Sequence, residues 1–160
     1  MEYTDQYVYL NVTDTLSATI DETIKVVLNY STDRTPYALV EVIAFSVKAE
    51  DADKPYYTLK TLEIAQNYLG YDNQGTALAV ATYDSEIAGA KRVYTMAGFG
   101  TKMMFSNPRS LTFYIVDENN VKVDIGTEVE NFVLLLKVSY PKVGEIPPLY
   151  RSQIPLSSGF

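Results

Sequence analysis

Apolar and polar positions alternate with a period of two along most of this chain, and Asp, Asn, Gly or Pro interrupt the alternation at short, regular spacing. The pattern is clearest from Arg109 to Tyr140. Leu111, Phe113 and Ile115 set an apolar face, with Thr112 and Tyr114 on the other side. Asp117-Glu118-Asn119-Asn120 supplies a turn, because Asn and Asp tolerate positive φ and bond their own backbone. Val121 to Ile125 then runs back as a short strand. After Gly126, Phe132 to Val138 is apolar at almost every position, which predicts a central strand covered on both faces.

The same reading applies from the start of the chain. Tyr3 to Val12, Thr15 to Ile20 and Ile24 to Tyr30 form three extended segments, followed by a loop at Ser31 to Pro36. Tyr37 to Lys48 predicts a long strand. Leu39, Glu41, Ile43, Phe45 and Val47 share one face, Val40, Val42, Ala44 and Ser46 the other, and the middle is expected to be buried on both sides. Ala49 to Pro55 is a charged connection, and Tyr56 to Leu62 resumes a strand. Glu63 to Leu69 fits one or two helical turns as well as it fits a strand. Thr76 to Tyr83, Lys91 to Met96 and Thr101 to Phe105 complete the set, and Ser106-Asn107-Pro108 turns into the final hairpin. Nine or ten short strands with at most one short helix predict an all-β sandwich or barrel in one domain over 1–140.

The last segment, 141–160, breaks the pattern. It carries four of the seven prolines and no strand-length alternation, so it reads as an extended Pro-rich C-terminal arm. Its apolar residues Val143, Ile146, Leu149, Tyr150, Ile154, Leu156 and Phe160 are too many for a freely solvated tail. Either the arm folds back over its own sandwich or it docks on a neighbouring subunit.

Composition narrows the function. The 160 residues are 47% hydrophobic, enough for one good core. Twenty acids against 13 bases give a net charge of −7, which argues against direct binding to nucleic acid. There is no Cys and no His, so thiolate chemistry and the commonest general base and metal ligand are missing, and the expectation is a protein that is not an enzyme. No basic segment leads into an apolar run and no uninterrupted apolar stretch could cross a membrane, so the chain reads as soluble and without a secretory leader. The sequons at Asn11 and Asn29 then read as chance occurrences.

The acidic groups read as solvated turns. Glu50, Asp51 and Asp53 lack the spacing of a calcium loop, as do Asp117, Glu118, Asn119 and Asn120. Carboxylate pairs for a glycosidase carry no specificity among 20 acids. The glycine-containing windows Gly70 to Gly75 and Gly98 to Gly100 do not open helices, so neither is a phosphate cradle. No catalytic, cofactor or metal residue is assigned. The 14 tyrosines, with no Trp, are the remaining signal. Tyr suits strand positions, and it is also enriched at interfaces. Tyr3, Tyr7, Tyr140 and Tyr150, near the termini, are assigned to interfaces together with the apolar residues of the arm.

The stretch from Ser110 to Gly126 and on through Asn131 to Val138 resembles the C-terminal signature of jelly-roll minor capsid proteins of virophages, Polinton-like elements and large icosahedral DNA viruses. The shared order is strand, Asp, turn, short strand, glycine, acidic residue and long apolar strand. The family's turn glycine is replaced here by Asn119-Asn120. The resemblance implies an antiparallel jelly-roll-type β-sandwich of about eight to ten strands, acting as a penton or minor shell component. It implies a homo-oligomer, the major capsid protein, or both as partners, assembly in the host cytoplasm or nucleus, residence in the virion, and no cofactor. The rival reading is a β-sandwich module of an appendage that recognises a carbohydrate or receptor through exposed Tyr, Asn and Asp.

Overall fold

The computed structural model describes residues 3–13, 23–28, 37–50, 53–67, 75–87, 91–98, 102–106 and 108–141. Nine strands lie among them: β1 (Tyr3–Thr13), β2 (Ile24–Val27), β3 (Tyr37–Glu50), β4 (Tyr56–Thr61), β5 (Thr76–Ile87), β6 (Lys91–Met96), β7 (Met103–Ser106), β8 (Ser110–Val116) and β9 (Val129–Pro141). The expected segment Thr15 to Ile20, the loop 31–36 and residues 142–160 of the arm lie outside the described residues.

Every strand pairing is antiparallel, and the pairs nest: β1 with β9, β2 with β8, β3 with β6, β4 with β5. A chain whose first strand pairs with its last, and whose later strands pair progressively inward, is one long hairpin rolled into two sheets. That is the jelly roll. One half runs β1-β9-β3-β6 and the other β2-β8-β4-β5, with β7 added beside the start of β3. β5 joins the halves. Its first part, Thr76 to Thr82, pairs with β4, and its later part, Ala81 to Ile87, pairs with β6, with register shifts in both ladders that let it turn the corner. The fold is therefore the all-β jelly-roll sandwich.

The core lies between the halves. Phe45, Val47, Phe132, Leu134 and Leu136 from one half and Leu59, Leu111, Phe113 and Ile115 from the other belong to a single buried cluster. Leu111, Phe113 and Ile115 are fully buried, as the alternation predicts. β9 sits between β1 and β3. Val129, Phe132, Leu134, Leu136 and Val138 are buried, whereas Val133, Leu135 and Lys137 are half-buried, so only one of its faces is fully covered.

Three further expectations are corrected, beyond the two-sided cover expected of β9. In β3 the buried residues are Val40 and Val42 followed by Phe45, Val47 and Ala49, so the inward face changes parity midway. A bulge causes this: Val42 pairs with Leu136 and Ala44 with Leu135, leaving Ile43 without a partner. The middle of β3 is consequently its most exposed part, with Ile43 40% exposed. Residues 62–67 form bends and a turn, which is neither of the two alternatives left open for this segment, helical turns or a strand. The return run Val121 to Ile125 makes only isolated bridges, Val116 to Lys122 and Ile125 to Val129, and no continuous strand. Its turn is as expected: Asn120 has φ of 61°, and its N–H donates to the Asp117 carbonyl at 3.0 Å.

Candidate interaction surface

A rolled sheet has edges, and an edge strand offers unpaired N–H and C=O groups to any chain that approaches. This molecule treats its edges unequally. Among the described residues β2 is an edge of four residues and bears the exposed Lys25. β7 is capped on its outer side: the Asn67 side chain accepts from the Met104 N–H at 2.6 Å and donates to the Lys102 carbonyl at 3.1 Å, and Gln66 N–H donates to the Met104 carbonyl at 2.7 Å. The Asn67 carboxamide thus stands in for a peptide unit of a neighbouring strand.

Among the described residues β1 has no such protection. It is 11 residues long, pairs with β9 on one side, and has no strand on the other among the described residues. Its sequence contains no Pro, Gly, Lys or Arg, and Asp5 is its only charge. Val8, Leu10 and Val12 face the core, the first two only partly covered. Tyr7 and Tyr9 face outward and are 62% and 64% exposed.

The outer face continues across the sheet in register. Tyr7 pairs with Lys137 and Tyr9 with Leu135; Lys137 pairs in turn with Glu41, Leu135 with Ala44, and Val133 with Ser46. Tyr7, Tyr9, Leu135, Val133 and the bulged Ile43 make an aromatic and aliphatic area beside the open edge. Ion pairs bound it. At one end Lys137 Nζ lies 3.3 Å from Asp5, and the Ser139 hydroxyl donates to Asp5 at 2.7 Å. These contacts, the Ser139 bond foremost, hold the Asp5 carboxyl below its ordinary range. At the other end Lys91 Nζ is 2.9 Å from Glu130 and 3.6 Å from Glu50, and Lys48 is 3.5 Å from Glu130.

The assigned interface residues divide. Tyr7 lies in the exposed area. Tyr3 is half-buried at the start of β1, its hydroxyl 3.3 Å from that of Tyr37. Tyr140 is buried, 6% exposed, and its hydroxyl donates to Gln6 at 3.3 Å, so it supports β1 from within the same chain. Val143, Ile146, Leu149, Tyr150, Ile154, Leu156 and Phe160 lie outside the described residues. Tyr9 and Ile43 were missed. The first shares the exposed face of Tyr7 at a spacing of two, a signal present in the sequence; the second is exposed only because of the bulge.

The acidic clusters are engaged locally. Asp117 accepts from the Asn119 and Val121 N–H groups at 2.9 and 3.0 Å and from Lys54 Nζ at 2.9 Å. Burial alone would raise its pKa, but those donors hold it below the ordinary carboxylate range. Asp53 pairs with Arg92 at 3.2 Å, and Arg92 lies 5.7 Å from the Tyr83 ring centroid. Asp51 lies outside the described residues.

A second feature lies on the opposite sheet. Leu62, Ile64, Gly75, Tyr114, Val116, Asn120 and Lys122 line an open pocket of about 300 Å³. Lys122 Nζ sits 4.9 Å from the Tyr114 ring centroid.

No family model matches the sequence, and no curated protein matches it. The class is therefore defined by the fold itself, a jelly-roll β-sandwich in which no other described strand covers the outer edge of β1.

Proposed function

We propose that this chain is a structural virion protein, a minor capsid or penton-type jelly roll that joins an icosahedral shell through protein-protein contacts. The observation that carries the reading is the nested strand pairing, the wrapping order found in capsid subunits. Lectin and cupin domains wrap in the same order, so the order defines a class and the reading within it draws on other features. Two support the shell. One is the resemblance of Ser110 to Val138 to minor capsid proteins. The other is the long β1 edge, uncovered among the described residues, beside exposed Tyr7 and Tyr9, a surface suited to adding contact area rather than to enclosing a small ligand.

The test is the mass of the full chain, measured by light scattering over a range of concentrations, with electron microscopy of the same samples and a version ending at Pro141 alongside. The reading expects closed particles of uniform size, larger than a dimer. Loss of those particles on truncation would assign the arm to the contact between subunits. The pocket at Tyr114 favours the second reading, a recognition module. That reading expects a monomer at every concentration and ligand binding lost on Lys122→Ala.

A further inference from the structure

We propose that β1 is a self-pairing edge: two copies of this chain join their β1 strands antiparallel about a two-fold axis through Val8, forming one sheet that runs β6-β3-β9-β1 into β1-β9-β3-β6 of the second copy. The inference names the first partner of the surface described above and rests on its reading as an assembly surface.

The strand is self-complementary in this register. Centring the axis on Val8 sets Tyr7 opposite Tyr9 of the second copy and Tyr9 opposite its Tyr7, giving two cross-strand aromatic pairs on the outer face. On the inner face Val8 meets Val8, and Gln6 meets Leu10. Asp5, the only charge in the strand, meets Asn11, so no like charges are opposed. Val8 and Leu10 are only partly covered in one subunit, and the added strand completes their burial. An isologous contact of this kind closes at two copies, and a ladder over 11 residues offers on the order of ten main-chain hydrogen bonds.

The chain's own arm is a poorer occupant. Its prolines at 147, 148 and 155 have no N–H to donate, so it cannot form a continuous ladder along the strand. The β2 edge is a poorer site, because it is four residues long and carries Lys25.

The chain has no cysteine, so a single introduced thiol reports the register. Val8→Cys places the two thiols directly opposite each other, within the span a disulfide bridges. Tyr9→Cys sets them two residues out of step, beyond it. In the full-length protein, mild oxidation is expected to convert Val8→Cys to a covalent dimer and to leave Tyr9→Cys uncrosslinked. A second set of variants reads the same register through charge. Tyr7→Lys with Tyr9→Lys opposes like charges and is expected to give monomers with unchanged circular dichroism. Tyr7→Lys with Tyr9→Glu sets Lys against Glu twice and is expected to restore the dimer. A wild type that stays monomeric, equal cross-linking at both positions, or a mass unaffected by the double lysine variant would overturn the proposal. So would self-association abolished by truncation at Pro141 alone, which would assign the contact to the arm. A dimer that never grows larger keeps this pairing and removes the shell reading. Larger particles without the Val8 cross-link do the reverse.

Discussion

Tyr57 and Tyr94 meet edge to face inside the molecule, with ring centroids 4.8 Å apart and planes at 85°, although one lies on β4 and the other on β6 with β5 between them. Each hydroxyl then ties a different loop. Tyr57 donates to Glu128 at 3.1 Å, and Tyr94 donates to the Lys54 carbonyl at 2.8 Å. Lys54 reaches Asp117 in turn, so the β3–β4 connection and the 117–128 loop are fastened to the corner where the two halves of the roll join.

Removing one hydroxyl at a time tests this fastening. Tyr57→Phe keeps the ring contact and loses one hydrogen bond, so it is expected to cost about 0.5–1.5 kcal/mol in urea unfolding. Tyr57→Ala also opens a cavity and is expected to cost about 3–5 kcal/mol. The double variant Tyr57→Phe with Tyr94→Phe should depart from additivity, because the two rings touch. Single-variant midpoints equal to wild type would mean that the hydroxyls exchange their partners for water at no cost.

The same corner sets the pH dependence. Burial, aided by the Glu128 charge, pushes the Tyr57 hydroxyl well above its ordinary value, and burial raises Tyr94. The Asp117 hydrogen bond raises Lys54. Groups whose folded pKa is raised stabilise the fold below their unfolded pKa and lose that contribution as pH climbs. Tm is therefore expected to fall above about pH 10, the ordinary range of Tyr and Lys, and Tyr57→Phe should flatten part of that fall. Asp117 is depressed, so its contribution is present above about pH 4 and lost as pH drops further. Without histidine the curve should be nearly flat from about pH 6 to about pH 8. A step in that interval would contradict the assignment of the controlling groups.

Most strands were legible because their period-two patterns are strong: Lys91 to Met96 matches β6 residue for residue, and β1, β8 and β9 fall within a few residues of expectation. The turn at Asp117 to Asn120 was legible because its chemistry is local. What was not legible depends on pairing between distant strands. The bulge at Ile43 is set by the register of β3 on β9, and the unbroken apolar run from Val42 to Phe45 that spans it hides which residue is the extra one. The hydrogen bond from Tyr140 to Gln6 joins residues far apart in sequence. The open edge at β1 is a property of strand order, which periodicity does not contain.

Gly75 shows another contact invisible in sequence. It has φ of +114°, and a Cβ there would run into the Thr61 carbonyl oxygen and come within 2.8 Å of the Tyr114 hydroxyl. Backbone cannot yield as a flexible side chain does. Gly75→Ala is expected to cost about 1–3 kcal/mol from backbone strain alone, and more from the collision. A thermal melt within a degree of wild type would mean that the approach of Gly75 to β4 is looser than this geometry.

The bulge in β3 separates the effects of two deletions three residues apart. Val42 faces the core and pairs with Leu136, Ala44 faces out and pairs with Leu135, and Phe45 faces the core again. Deleting Ile43 therefore joins two stretches already in register with β9 and keeps every buried side chain of β3 on its own face. Deleting Ser46 instead moves Val47 and Ala49 by one position and turns both outward while Phe45 stays inside. The Ile43 deletion is expected to fold with a loss on the order of 1 kcal/mol, from the changed spacing between the β6 and β7 contacts on the other side of β3. The Ser46 deletion is expected to abolish the cooperative transition. Urea unfolding followed by tyrosine fluorescence reads both variants. If the two deletions are equally damaging, Ile43 is not the extra residue, and the exposed outer face around it has a different origin.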